Sequence, residues 1–293
     1  MTIKIDNSPH PLTFGAIGDS YGFCFEFAEA DFVARNNDLS YHPHPSPEMQ
    51  VQPGAYSDDT QMQLALAELI VSGYEWHAER VAESFLATFK RDPRPGYAKK
   101  FQAFLEQVNN GTEFLDQIRA DSERNGAAMR APIVGLFPDI KEVISKADLQ
   151  ARLTHNTKGG VDSAVAAALL CHFFTYDLGP KGEAPKFLEN HVPGHNWEEP
   201  WRGKVEVHGI STVRAALTAI VKTDSLAELL IECINYTGDV DSVATIALAC
   251  ASCSRGFQRD IPDTLWSRLE SGPFGRDYLI DIDRKVREVL DIY

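Results

Sequence analysis

The chain has 293 residues, 44% of them apolar and 24% charged, fractions of a globular protein that exclude a disordered or collagen-like chain. Its net charge is −14, from 28 basic and 42 acidic residues. That balance argues against a nucleic-acid or anionic-membrane surface, which needs a basic face. A small anionic ligand stays admissible if cations reverse the local sign.

The opening, MTIKIDNSPHPLTF, has no basic segment ahead of an apolar core, so no secretory signal is expected. No apolar run reaches the ~20 residues that span a bilayer. Next comes Gly15-Ala16-Ile17-Gly18-Asp19-Ser20-Tyr21-Gly22-Phe23-Cys24-Phe25-Glu26-Phe27. Its glycines are not spaced as in a dinucleotide-binding turn. Small residues at 15, 18 and 22 let another helix come close. Glu26 stands among phenylalanines, where a carboxyl is either paired or raised in pKa, as a general base would be. A plain surface glutamate is the alternative.

Residues 41–54 hold four prolines and a glycine and read as a loop. His42 and His44 lie there, and His191 and His195 lie in a second proline-rich stretch. Neither pair reads as a metal site, because ligands are usually fixed on ordered elements. Tyr56-Ser57-Asp58-Asp59-Thr60 then leads into a helical stripe of Met62, Leu66 and Leu69. Further stripes cover residues 78–90, 101–108 and 161–169, with a turn at 91–96. Arg124-Asn125-Gly126-Ala127-Ala128-Met129-Arg130 reads as a turn entering a helix whose N–H groups suit an anion. Leu153-Thr154-His155-Asn156 precedes the 161–169 stripe, and a lone His there is commonly a structural hydrogen-bonder.

Residues 177–210 carry four prolines, five glycines and two tryptophans with little periodicity. That is long for a connection, and suits a lid, a substrate-facing loop or an excursion between lobes. VEVH at 205–208 is the best strand candidate. Helical stripes resume at 213–221, 226–234, 243–253, 265–269 and 278–290. Thr237-Gly238-Asp239-Val240-Asp241-Ser242 opens the 243–253 stripe. Cys24, Cys171, Cys233, Cys250 and Cys253 are sparse and set in apolar surroundings, which suits reduced thiols in a cytoplasmic compartment. The fold expected is all-α, in one domain spanning 1–293 with an irregular excursion at about 177–210.

The segments at 56–60 and 237–242 each place two aspartates and a hydroxyl at a helix entrance. Capping is one explanation. The other is that they meet in space: Asp58, Asp59, Asp239 and Asp241 with the Ser57 and Ser242 hydroxyls form an all-oxygen set for two Mg²⁺ or Mn²⁺ ions. Such a pair clamps substrate oxygens and lowers the pKa of water.

In this order, GDSYGFCFEF, YSDDT, RPGYA, NGAAMRAPIVGLF, LTHNT and TGDVDSVATIALACA resemble the ADP-ribosylglycohydrolase family over most of the chain. The resemblance implies an all-α fold with a dinuclear Mg²⁺ or Mn²⁺ cleft. It implies hydrolysis of the bond joining ADP-ribose to an acceptor, either an ADP-ribosylated protein or a small molecule. It implies a metal shell of Ser57, Asp58, Asp59, Asp239, Asp241 and Ser242, with Glu26 orienting or activating water. Glu26, Asp58 and Asp241 are the expected catalytic residues; Gly96, Tyr97, Asn125, Gly126 and His155 are the expected substrate contacts. A partner ADP-ribosyltransferase or toxin follows only from family habit. The sequence departs from the family pattern at Thr237, Val240 and Ala98, and residues 177–210 have no clear counterpart. Two other readings stand beside it: an inactive ADP-ribose-binding or structural protein on the same scaffold, and a two-metal phosphoesterase.

Overall fold

A computed structural model describes residues 8–49 and 51–292. The first seven residues, part of the stretch read for a secretory signal, lie outside it, as does residue 50 of the 41–54 loop. The described residues form helices joined by turns, with only isolated β-bridges between them.

Two helices make the centre. Pro11–Gly22 and Val240–Ala251 are buried along their whole lengths, as expected of segments apolar on every side. They pack against each other more extensively than any other pair. Gly22 makes this possible: a Cβ there would sit 2.4 Å from the Asp241 Cα. The small residues at 15, 18 and 22 thus do what their spacing predicts. Around the pair stand Asp58–Ser72, Lys158–Thr175, Gly209–Lys222 and Leu226–Asn235. The outer helices Ala78–Arg91 and Arg276–Leu290 are amphipathic. The first buries Val81, Ala82, Phe85, Leu86 and Phe89, each large side chain contributing ~1.5–3 kcal/mol.

The first helix begins at Pro11, and His10 supplies no side-chain cap. Buried Asp283, from Arg276–Leu290, does so instead. It accepts from Leu12 N (3.0 Å), Thr13 N (2.9 Å) and Thr13 Oγ1 (2.6 Å), so the last helix closes the start of the first.

Two expectations need correction. VEVH is not a strand: Val205 bridges only Gly238, and His208 only Arg124. Its neighbours are turns entering helices, which offer one residue of pairing each. Residues 177–210 are not irregular throughout, because they contain helix Ala184–His191. Trp197 is 2% exposed, its indole N–H donating to Val192 O at 2.6 Å, so this part is wrapped onto the body. Helix Ile140–Arg152 has no counterpart in the sequence reading, because its buried face (Val143, Ala147, Gln150, Ala151) is only weakly apolar.

Candidate metal centre

Ser57 caps the Asp58–Ser72 helix, its Oγ accepting from Asp59 N at 3.3 Å. Asp19 Oδ2, fully buried in the first helix, accepts from Ser57 N (2.9 Å), Thr60 N (3.0 Å) and Thr60 Oγ1 (2.6 Å). Asp58 N donates to Pro95 O at 3.0 Å. The free N–H groups of this helix start are therefore served without the Asp58 or Asp59 side chains. Capping does not explain those two carboxylates.

The second entrance is held from outside the helix. Thr237 and Gly238 both adopt left-handed φ values, 60° and 93°. Val205 N donates to Thr237 O and Asp239 N to Val205 O, both at 3.0 Å, and Phe27 N donates to Gly238 O at 2.7 Å. The end of the 177–210 segment and the residue after Glu26 thus grip one turn. Asp239 occupies the cap position and makes no side-chain cap bond; it instead accepts from Asn125 Nδ2 at 3.2 Å.

The two entrances meet. Glu26, Asp58, Asp59, Asp239, Asp241 and Ser242 line one cavity of about 550 Å³. Carboxylate oxygens of Glu26, Asp239 and Asp241 lie within 4.8 Å of one another. Burial, reinforced by Asp239, Asp58 and Asp19, raises Glu26 to about 8. Burial is also the largest cause raising Asp58, Asp59, Asp239 and Asp241, with neighbouring carboxylates adding to it at Asp58, Asp59 and Asp241. Asp19 Oδ1, Asp59 Oδ2 and Asp241 Oδ1 are buried with no protein partner. Crowded, desolvated carboxylates with open lone pairs demand protons or cations. The donors are all oxygen, and hard divalent ions such as Mg²⁺ or Mn²⁺ fit them better than zinc or copper.

The other expected residues are placed unevenly. Gly96 (φ 102°) lies against Asp58: a Cβ there would come 2.0 Å from Asp58 Oδ1. Tyr97 lines the cavity, and its hydroxyl donates to Gln61 Oε1 at 2.8 Å. Asn125 spends its amide on Asp239 and on Thr212 Oγ1. Gly126 and His155 line the cavity side by side. Ser57 is buried and does not line it.

Sequence reasoning missed three supports. Asp19 was detectable by the signal that picked out Glu26, an acid within an apolar run. His44 Nε2 pairs with the Glu26 backbone carbonyl at 2.8 Å, yet its proline-rich loop gave no hint. Arg130 is 1% exposed, donates to Gln150 and Thr154, and also lines the cavity.

A family profile described as ADP-ribosylglycohydrolase matches residues 14–291. The chain belongs to the ADP-ribosylglycohydrolase family. Among its relatives is the ADP-ribosyl-(dinitrogen reductase) glycohydrolase of Rhodospirillum rubrum, 25% identical, with 94% of this chain and 91% of that protein aligned. The ADP-ribosylarginine hydrolase Tri1 of Serratia proteamaculans is 22% identical over 91% of this chain and 76% of its own. A solved ADP-ribosylglycohydrolase-related protein complex shares the fold at a TM-score of 0.70, with 20% identity and 96% of each chain covered. No described helix is long and apolar enough to cross a membrane.

Proposed function

We propose that this chain is a metal-dependent hydrolase that cleaves the glycosidic bond between ADP-ribose and an acceptor such as a protein side chain. The observation that carries the reading is the convergence of two helix entrances and Glu26 on one cavity, with buried carboxylate oxygens left open. Family membership and the names of the relatives support the ADP-ribosyl substrate class.

Asp58, Asp59, Asp239 and Asp241, with the Ser242 hydroxyl, would hold two Mg²⁺ or Mn²⁺ ions, while Ser57, which does not line the cavity, caps the helix that carries Asp58 and Asp59. Bound there, the ions supply positive charge that offsets the carboxylates and polarises substrate oxygens. Glu26 faces the same space from a turn fixed by His44 and by the Phe27–Gly238 bond. There it takes the proton of the attacking water and returns one to the departing acceptor. Gly96, Tyr97, Gly126 and His155 shape the rest of the cavity around the ADP-ribose, while Asn125 holds Asp239. The substrate is an ADP-ribosylated protein or small molecule, made by a partner transferase or toxin. All five cysteines are free and buried, which suits work in the cytoplasm.

The test is a panel of arginine-, serine- and nucleic-acid-linked ADP-ribose substrates, with Mg²⁺ or Mn²⁺, on the native chain and on Asp58→Ala. Free ADP-ribose should appear from at least one linkage with the native chain and not with the variant. No release from any of them with either metal overturns the reading.

A further inference from the structure

His155 is 7% exposed and is bonded on one edge only. Its Nδ1 lies 2.7 Å from Thr154 Oγ1. Thr154 Oγ1 in turn accepts from Arg130 Nη2 at 2.8 Å. A guanidinium can only donate, and Arg130 is held by two further bonds, from Nε to Gln150 Oε1 (2.5 Å) and from Nη2 to Gln150 O (3.0 Å). Gln150 is fixed as well, its Nε2 donating to Ala127 O at 3.0 Å.

The directions of these bonds then follow from counting protons. The Thr154 hydroxyl has one hydrogen, and it already accepts from Arg130. Of the two atoms it contacts, only His155 Nδ1 can accept that hydrogen. If Nδ1 carried the proton, the buried hydroxyl hydrogen would be left without an acceptor. Nδ1 is therefore the acceptor, and the ring proton sits on Nε2. The Nε2 edge lies beside Gly126, where a Cβ would come within 3.3 Å of it, and both residues line the cavity. Nε2 has no hydrogen-bond partner among the described residues.

We infer that Thr154, backed by Arg130, is a positioning residue that locks His155 in the Nε2–H form and presents a neutral donor to an acceptor oxygen of the bound ligand, a phosphate or sugar oxygen. The identity of that ligand rests on the proposed ADP-ribosyl function. The state of the ring does not. Burial, and after it nearby Arg130, disfavour the imidazolium, so the donor is present without a charge that would compete with the cations for substrate oxygens.

The experiment is ¹⁵N imidazole NMR of the whole native chain, of Thr154→Val and of Thr154→Ser, with calorimetric titration of ADP-ribose into each. The native His155 should show a protonated Nε2 and an unprotonated Nδ1, unchanged between about pH 5 and 8. Thr154→Val should shift the ring to a tautomer mixture and weaken ADP-ribose binding about tenfold. Thr154→Ser, which keeps the hydroxyl, should restore both. A native ring protonated on Nδ1, or a Thr154→Val ring that stays wholly Nε2–H, overturns the inference. The native spectrum alone decides the tautomer if Thr154→Val fails to fold. A locked Nε2–H ring in a chain that releases ADP-ribose from no substrate would instead sink the proposed function and leave the lock standing.

Discussion

Asp241 lies 4% exposed in the first turn of its helix, with Oδ1 unpartnered and its pKa raised first by burial and then by Glu26, Asp239 and Asp59. A structural cap and a cation ligand respond in opposite ways to neutralisation at such a position. Removing a cap costs ~0.5–2 kcal/mol whatever the metal content. Removing one charge from a crowd of carboxylates relieves repulsion, each pKa unit being worth ~1.36 kcal/mol. Asp241→Asn should therefore raise the thermal midpoint of the metal-free chain by about 2–4 °C per kcal/mol relieved. With Mn²⁺ present the order should reverse, because the native chain gains a ligand that the variant cannot hold. Scanning fluorimetry in chelator and in Mn²⁺ reads both signs, and a lowered midpoint in both would make Asp241 a structural acid. The sequence exposed Asp58, Asp59, Asp239 and Asp241 because acids at a helix entrance exceed what capping needs. Asp19 carried the same signal as Glu26, an acid within an apolar run, but no role could be assigned to it, because its helix is buried on every side and no polar face marks the direction in which its carboxylate points.

Gly22 decides how the two central helices approach. In an exposed helix interior, Gly→Ala gains ~0.8–1.0 kcal/mol of propensity. Here the added Cβ meets the Asp241 Cα at 2.4 Å and its N at 2.9 Å. These are backbone atoms, and the helix that carries them is buried throughout. Overpacking of this kind costs ~1–3 kcal/mol, so the clash outweighs the propensity. Gly22→Ala should lower the urea midpoint and also weaken Mn²⁺ uptake, because the residue displaced is Asp241 itself. Gly182→Ala, with nothing within 4 Å of the new methyl, is the control that should change neither. An unchanged Mn²⁺ affinity in Gly22→Ala would separate the packing from the site. At this scale the sequence was legible wherever an apolar stripe was dense, as at Phe85 and Phe89. It was illegible at Ile140–Arg152, whose buried face includes Gln150. It misled at 205–208, because alternation alone cannot tell a strand from an extended segment bonded to two turns.

Across the whole molecule, the charge of −14 and the cage of acids act on stability in the same direction. Asp19, Asp58, Asp59, Asp239 and Asp241 have pKa values raised above the ordinary 3.8, chiefly by burial, and Glu26 is raised from 4.5 to about 8. A carboxyl with a raised folded pKa contributes stability that is complete below its unfolded pKa. That contribution is lost as pH rises through the folded value. For Glu26 the window runs from 4.5 up to about 8. His155, lowered from 6.5 to about 3, runs the other way: its contribution is complete above 6.5 and is lost as pH falls toward 3. The metal-free chain should thus be most stable on the mildly acidic side and weaken steadily through neutrality. Divalent cations bind the ionised carboxylates and displace their protons, so the stabilisation they confer should grow with pH. Thermal midpoints with chelator and with Mg²⁺, from pH 5.5 to 8.5 at about 0.15 M salt to screen the exposed charges, should diverge as pH rises. Glu26→Gln should flatten the chelator curve from pH 5.5 up to about 8, the window in which this carboxyl loses its contribution. A gap between the two curves that stays constant across the range would mean that the ions bind somewhere other than this cage.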